Sequence, residues 1–455
     1  MSTDLHGFPF WTLQFDKDAS PVDAAALDTF VDEVAGQSLT DLYIFSHGWN
    51  NESSAALSLY DKYFAEVRKI VDARAVRARI GVAGVIWPSI LWPDDAAASA
   101  RIDVVAPAMS GGAVSMGSGP PPPLATASLD DVHAALNKGY EAPEQQRLLA
   151  DLIALLAERK DSDEALQKFQ QTLGQLLASE RAGAAADKAN PDAADGAVGL
   201  MPYKDFRRLL DTMGHQMPQP AGGGAAGLVD GLAKLWDGAK DVLRVGTYWQ
   251  MKERAGVVGR AALGPLITRL HERVPATRVH LIGHSFGARL VSNALAGLPA
   301  TAVGAASPVK SLLLLQGAFS HFAFADVLPQ DHARSGALKG MAARVDGPLL
   351  ATHSLRDLAV GRAYPAASFV NRDDSAAAQD QASRWGGMGS DGAQAVDALR
   401  VPLGDVGTVY PFQAGKWINL DGNQVIIHGG LPSGAHSDIV HPHTAWLTLA
   451  AAKLV

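Results

Sequence analysis

A serine flanked by glycines stands at the junction of two apolar segments, and it constrains the fold more than any other feature of the sequence. Residues 277–282 (TRVHLI) predict a buried strand and residues 286–297 predict a helix, with the run Gly283–Gly287 (GHSFG) at their junction. A turn this tight forces the serine into an unfavourable backbone conformation, and it closes only if the flanking residues lack a Cβ atom. We therefore expect Ser285 Oγ to project at the carboxyl end of a sheet, where open α/β sheets bind ligands.

The same short pattern also occurs by chance, in glycine-rich turns that carry no chemistry. The strand before it and the helix after it favour the functional interpretation. The N-terminus of that helix also adds positive potential where negative charge on an oxygen atom would develop.

Strands and helices alternate along most of the chain. Strands are predicted at 10–16, 41–45, 80–87, 277–282, 310–316 and 347–353. Helices are predicted at 22–35, 53–73, 249–274, 286–297 and 442–453, the third of them bent near Gly264-Pro265. This alternation predicts an α/β fold with a doubly wound, mostly parallel sheet. A hairpin is also predicted at 415–428, with its turn at Asp421-Gly422.

The alternation stops at 94–245, which we interpret as a large, mainly helical insertion in a core formed by residues 1–93 and 246–455. Flexible linkers rich in glycine, alanine or proline are predicted at 106–128, 183–198 and 221–227. Apolar residues, Trp236 among them, then recur along one face of a predicted helix at 228–245. Such a face either packs on the core, which is the commoner case, or forms a lid over an apolar cleft.

Polar residues that could assist Ser285 come after predicted strands and before the last helix. His47 and Gly48 follow an early strand, Asp357 follows a later one, and His436 lies in the loop before the last helix. A histidine within reach of a serine can act as its general base, and a carboxylate can orient that histidine.

Two of these positions have competitors. Asp326 follows the preceding strand and is the alternative to Asp357, which in turn could simply cap a local turn. His441 stands beside Pro442 at the start of the last helix and is the alternative to His436.

Together these features resemble the α/β-hydrolase superfamily of esterases, lipases and related serine hydrolases, over residues 1–93 and 246–455. The resemblance is carried by His47, Gly48, Trp49, Gly283–Gly287, Asp357 and His436. The runs Tyr248–Lys252 (YWQMK) and Ala359–Pro365 (AVGRAYP) are similar to those of poorly characterised bacterial members. The resemblance implies an α/β-hydrolase fold and acyl-enzyme chemistry, and it leaves the substrate open. Superfamily insertions in this region often form lids.

The resemblance implies a role for each candidate. Ser285 is the nucleophile, His436 its general base and Asp357 the acid that orients the imidazole. The predicted function is therefore a serine hydrolase that cleaves carboxylic esters through an acyl-enzyme intermediate. The alternatives are a lipase or phospholipase effector that contacts membrane lipids through the insertion, a serine peptidase or thioesterase, and a catalytically inactive α/β-hydrolase-fold binding protein.

The resemblance also implies an oxyanion hole formed by the backbone N–H groups of Trp49 and Phe286, with Gly48 letting the backbone approach the substrate closely. Further candidates for contact with the substrate or for support of the site are His47, His284 and Asn50. The alternative for the early loop is a plain turn in which an asparagine caps the next helix.

Composition excludes several other classes. The chain has no cysteine, which rules out disulfides and thiolate catalysis. Its net charge is −8 and it has no basic run interleaved with aromatic residues, so nucleic acid is not an expected partner. The histidines and Asp438 in 436–443 match no zinc-site spacing, and we expect neither a metal nor a cofactor. The run Gly387–Gly392 (GMGSDG) follows no strand and is predicted to be a loop.

The sequence also bears on location. The first residues lack a basic stretch followed by an apolar one, and no apolar run is long enough to span a membrane. We therefore expect a cytoplasmic protein, with export that needs no signal peptide as the open alternative. Nothing in the sequence indicates an oligomeric state.

Overall fold

The computed structural model describes residues 1–48, 53–89, 128–160, 162–181, 202–216, 229–329, 331–360, 386–430 and 433–455. The chain divides into two compact units. The first comprises Met1–Ser89, Lys252–Ala366 and Ser375–Val455, and the second comprises Ile90–Met251 and Ala367–Asp374. Apart from Ser128, the predicted linkers at 106–128, 183–198 and 221–227 lie outside the described residues.

The first unit is built on a nine-stranded sheet. Its strands are β1 (Thr3–Leu5), β2 (Phe8–Gln14), β3 (Asp41–Ser46), β4 (Ile80–Ile86), β5 (Arg278–His284), β6 (Val309–Leu315), β7 (Leu349–His353), β8 (Ala398–Pro402) and β9 (Trp417–Asp421). Their spatial order is β1-β2-β4-β3-β5-β6-β7-β9-β8, and every neighbouring pair except β1 and β2 is parallel. The predicted α/β class with a mostly parallel sheet is confirmed. Chain order reverses between β3 and β5, and the crevice at such a reversal is where open α/β sheets bind ligands.

The described helices agree closely with the predicted ones in the first unit. They are α1 (Ala24–Gln37), α2 (Ser53–Ala73), α3 (Leu129–Asn137), α4 (Pro143–Glu158), α5 (Asp163–Arg181), α6 (Tyr203–Gln216), α7 (Val229–Val258), α8 (Gly264–Arg273), α9 (Phe286–Ala296), α10 (Met388–Asp391) and α11 (Pro442–Ala451). The helix predicted to begin at 249 begins at Val229, and its predicted bend is a π-helical turn over Gly259–Leu263. The single turn α10 lies within the predicted loop at 387–392.

An aromatic cluster fixes the carboxyl end of β3, where the early loop begins. The Phe45 ring lies 5.1 Å from those of Tyr60 and Tyr63 on α2. The Tyr60 hydroxyl donates to the Val85 carbonyl at 2.6 Å and accepts the His47 N–H at 2.9 Å. Because these rings are fully buried, the first residues after β3 are held by both packing and hydrogen bonds.

The hairpin predicted at 415–428 is wrong. Only its first half forms a strand, β9, which pairs in parallel with β7 on one side and with β8 on the other. After Asp421 the chain turns tightly, with the Ile426 N–H donating to the Gly422 carbonyl at 2.7 Å. The N–H groups of Ile427 and His428 then donate to a side chain, the carboxylate of Asp438, rather than to a partner strand. Because these two N–H groups bond to a side chain, the second half of the predicted hairpin does not pair with a neighbouring strand.

The described part of the second unit is helical. Its helix α3 begins with a capping box between Ser128 and Asp131, and the Phe169 ring on α5 lies 6.0 Å edge-on to Trp236 on α7. Trp236 is buried and donates its indole N–H to the Lys160 carbonyl at 2.9 Å. The Trp236 side of the predicted apolar face is therefore covered by other helices of this unit. Across the described residues, no helix combines the length and apolarity needed to cross a bilayer.

Candidate active site

Ser285 alone joins β5 to α9, as the sequence predicts. Its φ is 58° and its ψ is −122°, a conformation that a residue with a side chain rarely adopts. A Cβ on Gly287 would overlap the Ser46 carbonyl oxygen, and one on Gly283 would lie 2.5 Å from Ala288 Cα. Both flanking positions therefore require glycine. The Ser285 N–H donates to the Leu315 carbonyl at 3.1 Å, which ties the turn to the neighbouring strand β6.

Ser285, His436 and Asp357 form a continuous hydrogen-bonded arrangement, called here the Ser285 site. His436 Nε2 lies 2.8 Å from Ser285 Oγ, and His436 Nδ1 lies 2.8 Å from Asp357 Oδ2. A carboxylate only accepts, so the proton of the neutral imidazole lies on Nδ1 and Nε2 accepts the serine hydroxyl. Asp357 is fully buried, whereas the His436 side chain is 12% exposed. This is the arrangement that activates a serine for nucleophilic attack.

Backbone pairing brings Asp357 and His436 together although they are 79 residues apart in sequence. The Ala435 N–H donates to the Arg356 carbonyl at 2.8 Å, and the Leu358 N–H donates to the Ser433 carbonyl at 3.2 Å. A Cβ on Gly434 would overlap the Arg356 carbonyl oxygen, and its φ is +60°. The loops that carry Asp357 and His436 thus adjoin residue by residue, which fixes the imidazole against the carboxylate.

The Asp357 carboxylate has two further donors. The Val360 N–H donates to Oδ1 at 3.0 Å, and Gln316 Nε2 donates to Oδ2 at 3.0 Å. No motif in the sequence singles out Gln316, because glutamine is not a residue type expected in a triad. Its one signal is its position, as the polar residue that ends the apolar run of strand β6.

Two more histidines lie beside the Ser285 site, and both contact protein backbone. His47 Nδ1 lies 2.8 Å from the Gly48 carbonyl, and the ring stacks on Trp87 at 5.5 Å. His284 Nε2 donates to the His436 carbonyl at 3.0 Å, so this residue supports the base.

Burial lowers the pKa of His47 to about 4. Burial, followed by the proximity of His436, lowers the pKa of His284 to about 3. Both imidazoles are therefore neutral near pH 7. Neither adds a positive charge that would oppose protonation of His436.

The early loop passes directly against Ser285. A Cβ on Gly48 would overlap Ser285 Cβ and would lie 3.0 Å from Ser285 Oγ, so only glycine fits here. Phe286 is the first residue of α9, where the N-terminal end of the helix dipole is positive. Trp49 and Asn50 lie outside the described residues, and their predicted roles stay predictions.

The competing candidates lie elsewhere. Asp326 is exposed in the loop after β6, whereas Asp357 makes the bond to His436. His441 Nε2 lies 2.9 Å from Asp438 Oδ1 and His441 is the cap residue of α11. The structure thus brings together Ser285, His436 and Asp357 and leaves both competitors outside the cluster.

Asp438 stabilises the loop that carries His436. Burial acts to raise its pKa, but hydrogen bonds from His441, His428 and the Ile427 N–H outweigh that effect and keep the pKa below its ordinary value. Within the described ranges, no group of three or more histidine and acidic side chains is arranged to hold a metal ion.

Comparisons with protein-family models, with curated proteins and with solved structures give no match to this chain. A strained serine, a histidine positioned to take its proton and a buried carboxylate behind the histidine can together perform acyl transfer.

Proposed function

We propose that this chain is a serine hydrolase of the α/β-hydrolase type that cleaves carboxylic esters. The observation that carries the proposal is the hydrogen-bonded series from Ser285 Oγ through His436 to Asp357, with 2.8 Å at each step. Support comes from the chain order serine, aspartate, histidine and from the sharp turn at the end of β5. On this proposal the second unit corresponds to the helical insertion predicted from the sequence.

The reaction follows from the roles of these groups. His436 Nε2 takes the hydroxyl proton as Ser285 Oγ forms a bond to the ester carbonyl carbon. The Phe286 N–H, with that of Trp49, stabilises the negative oxygen that results. The bond to the leaving oxygen then breaks and His436 returns the proton to it. Water, activated by the same imidazole, hydrolyses the acyl-enzyme and regenerates Ser285.

Asp357 supports both halves of this cycle. It holds His436 with the Nδ1 proton toward the carboxylate, and it stabilises the imidazolium that forms when Nε2 is protonated. The neutral state of His47 and His284 assists, because neither contributes a competing positive charge.

The inactive-fold alternative finds little support in this geometry. A non-Gly residue at positive φ costs on the order of 1–3 kcal/mol and persists where the surroundings enforce it, most often at functional sites. A binding function does not require a strained backbone at Ser285, and it does not require a buried carboxylate aligned behind His436. Lipase, phospholipase, peptidase and thioesterase chemistry would use the same groups, so they differ from the proposal in substrate alone.

The test is covalent labelling of the wild-type chain with a fluorophosphonate probe. Ser285 Oγ forms a bond to phosphorus, fluoride leaves and His436 accepts the proton. Ser292 provides a matched control, since it lies on the helix that follows the nucleophile and, among the described residues, its buried hydroxyl has no hydrogen-bond partner. We expect Ser285→Ala to abolish labelling and Ser292→Ala to retain it; equal labelling of all three proteins would refute the proposal.

A panel of p-nitrophenyl esters with increasing acyl length then addresses the substrate. Preference for short chains supports a soluble ester substrate. Faster turnover of long chains with a jump at a lipid surface indicates the lipase or phospholipase alternative, and matched thioester and amide substrates test the remaining two.

A further inference from the structure

Gln316 stands at the end of β6, next to the acid of the Ser285 site, and its side chain is completely enclosed. It is fully buried and its φ is 48°, in the left-handed region that glutamine rarely occupies. Burial of an amide costs free energy unless each of its polar atoms finds a partner. An unusual backbone conformation and a buried amide at one position point to a specific role for this side chain.

Every polar atom of the Gln316 amide has a partner. Nε2 donates to Asp357 Oδ2 and to the Gly389 carbonyl, each at 3.0 Å. Oε1 accepts the Thr352 hydroxyl at 3.0 Å, and that hydroxyl in turn accepts the Gln316 backbone N–H at 3.1 Å. The network fixes the orientation of the amide, because a flipped group would point its oxygen at a carboxylate and a carbonyl.

The contact with Asp357 falls on the oxygen that matters for the base. Oδ2 accepts from Gln316 and from His436, while Oδ1 accepts from the Val360 N–H. The torsion that orients a carboxylate is broad in the absence of such contacts. Three donors from three separate segments define both the plane of this carboxylate and the oxygen that faces the imidazole.

We propose that Gln316 is a positioning residue for the Ser285 site: it holds the Asp357 carboxylate in the plane that keeps His436 aligned with the nucleophile, and it draws off part of the negative charge on Oδ2. The inference rests on the proposed function, because it gives Asp357 its catalytic role. Thr352 shares this role, because its hydroxyl donates to Gln316 Oε1 and so holds the amide in place.

Loss of the Gln316 amide should have two effects that can be measured separately. Without the amide only the Val360 N–H and His436 hold the carboxylate, so its plane is less well fixed and activation of Ser285 falls at every pH. Without the Nε2 donor, more of the carboxylate charge acts on the imidazole and favours imidazolium. The acidic limb of the rate profile should therefore move to higher pH. A side chain that merely filled space would affect the rate or the folding and would leave the midpoint of that limb in place.

The experiment measures the second-order rate of fluorophosphonate labelling between pH 5 and pH 9, which needs no knowledge of the natural substrate. Gln316→Met keeps the length of the side chain and removes the amide. We expect its labelling rate at pH 7 to fall by about tenfold to a hundredfold, the equivalent of one hydrogen bond to a charged group, with the acidic midpoint displaced upward. Thr352→Val should give a smaller effect of the same kind, and Thr352→Ser, which keeps the hydroxyl, should restore the wild-type profile.

Ser311→Ala is the control for general damage to the strand. It removes a buried hydrogen bond from the opposite end of β6 and should leave rate and midpoint unchanged. If Gln316→Met fails to fold, the Thr352 pair still decides the matter. Wild-type rates and midpoints in folded Gln316→Met and in Thr352→Val would overturn the inference. The proposed function would survive that result as long as Ser285→Ala abolishes labelling.

Discussion

The sheet carries two serine–histidine–aspartate arrangements, one at each end of its strands. At the carboxyl ends lies the Ser285 site. At the amino ends of β3, β5 and β6 lies a second group, called here the Ser311 cluster, in which His280 is 3.0 Å from Asp41 Oδ1 and 2.8 Å from Ser311 Oγ. Judged by these distances alone, the two could not be told apart.

Backbone conformation and the exposure of the histidine distinguish them, because both serines are almost fully buried. Ser311 lies within strand β6 directly opposite His280 on β5, and both side chains are buried in the sheet. Asp41 also forms an ion pair with Arg278 at 2.5 Å, so its charge is already neutralised. Ser285 instead occupies a strained turn at the carboxyl ends of the strands, next to the partly exposed side chain of His436. We therefore expect backbone conformation and the exposure of the histidine, rather than hydrogen-bond distance, to separate a reactive serine from a structural one.

The largest expected difference between the two arrangements is in the effect of neutralising their acids. Asp357→Asn preserves the shape of the side chain but replaces the carboxylate with an amide, which no longer holds the imidazole of His436 with its proton on Nδ1. We therefore expect kcat for p-nitrophenyl acetate to fall by about 10⁴. Asp41→Asn should leave kcat close to the wild-type value, because the Ser311 cluster is buried and takes no part in the proposed reaction. Steady-state kinetics normalised to folded protein provide the measurement. A comparable loss in Asp41→Asn would remove the distinction.

The strained turn itself gives the next largest effect. Gly287→Ala would push a methyl group into the Ser46 carbonyl, and we expect a loss of about 3 kcal/mol in the free energy of unfolding. Gly36→Ala is the matched control, because nothing lies within 4 Å of the Cβ it would add to α1. That variant should be as stable as wild type or more so. Urea unfolding compares the two; an unchanged midpoint for Gly287→Ala would mean that the turn is not under the steric constraint described.

The sequence reveals the two arrangements very unequally. The turn at Ser285 is local, so glycine spacing between a strand and a helix is enough to predict it. Asp357 and His436 follow from the chain order that the α/β-hydrolase resemblance implies. The Ser311 cluster joins residues on three strands that pair only in the folded sheet, and none of its members belongs to a motif.

Other errors have the same tertiary origin. Gln316 gains its role from Thr352, Asp357 and Gly389, which lie 36, 41 and 73 residues away in the sequence. Strand β8 was not predicted, because its residues are mostly exposed and its pairing depends on β9 lying alongside. Local propensity identifies elements well, whereas parallel pairing between distant segments is decided by the whole sheet.

Acid should affect the two ends through their buried histidines. The pKa of His284 is about 3, below the ordinary value near 6.5, so the unfolded chain binds a proton first as the pH falls. Stability that is complete above pH 6.5 is therefore lost progressively below it, by about 2 kcal/mol at pH 5 for this one residue. Burial also lowers the pKa of His280, with Asp41 opposing that effect, so the Ser311 cluster contributes in the same direction.

His284→Gln isolates the contribution of His284, beside the Ser285 site, to the loss of stability in acid. The neutral amide keeps a donor for the His436 carbonyl but binds no proton. We expect the difference in unfolding free energy between pH 7 and pH 5 to shrink by about 2 kcal/mol relative to wild type. Urea titrations at the two pH values measure it. An unchanged difference would show that His284 is not neutral and buried as described.

The smallest effect is expected from Ser311→Ala, and it tests the comparison most directly. The variant removes the hydrogen bond between Ser311 Oγ and His280 Nδ1, which should cost about 1 kcal/mol of unfolding free energy. Fluorophosphonate labelling and ester hydrolysis should be unaffected, because Ser311 Oγ is buried within the sheet and lies outside the Ser285 site. The two serines have equivalent partners at nearly equal distances. This variant therefore tests whether activity depends on the location of the serine in the sheet or only on its hydrogen bond to a histidine. A loss of activity without a loss of stability would reverse the roles assigned to the two ends.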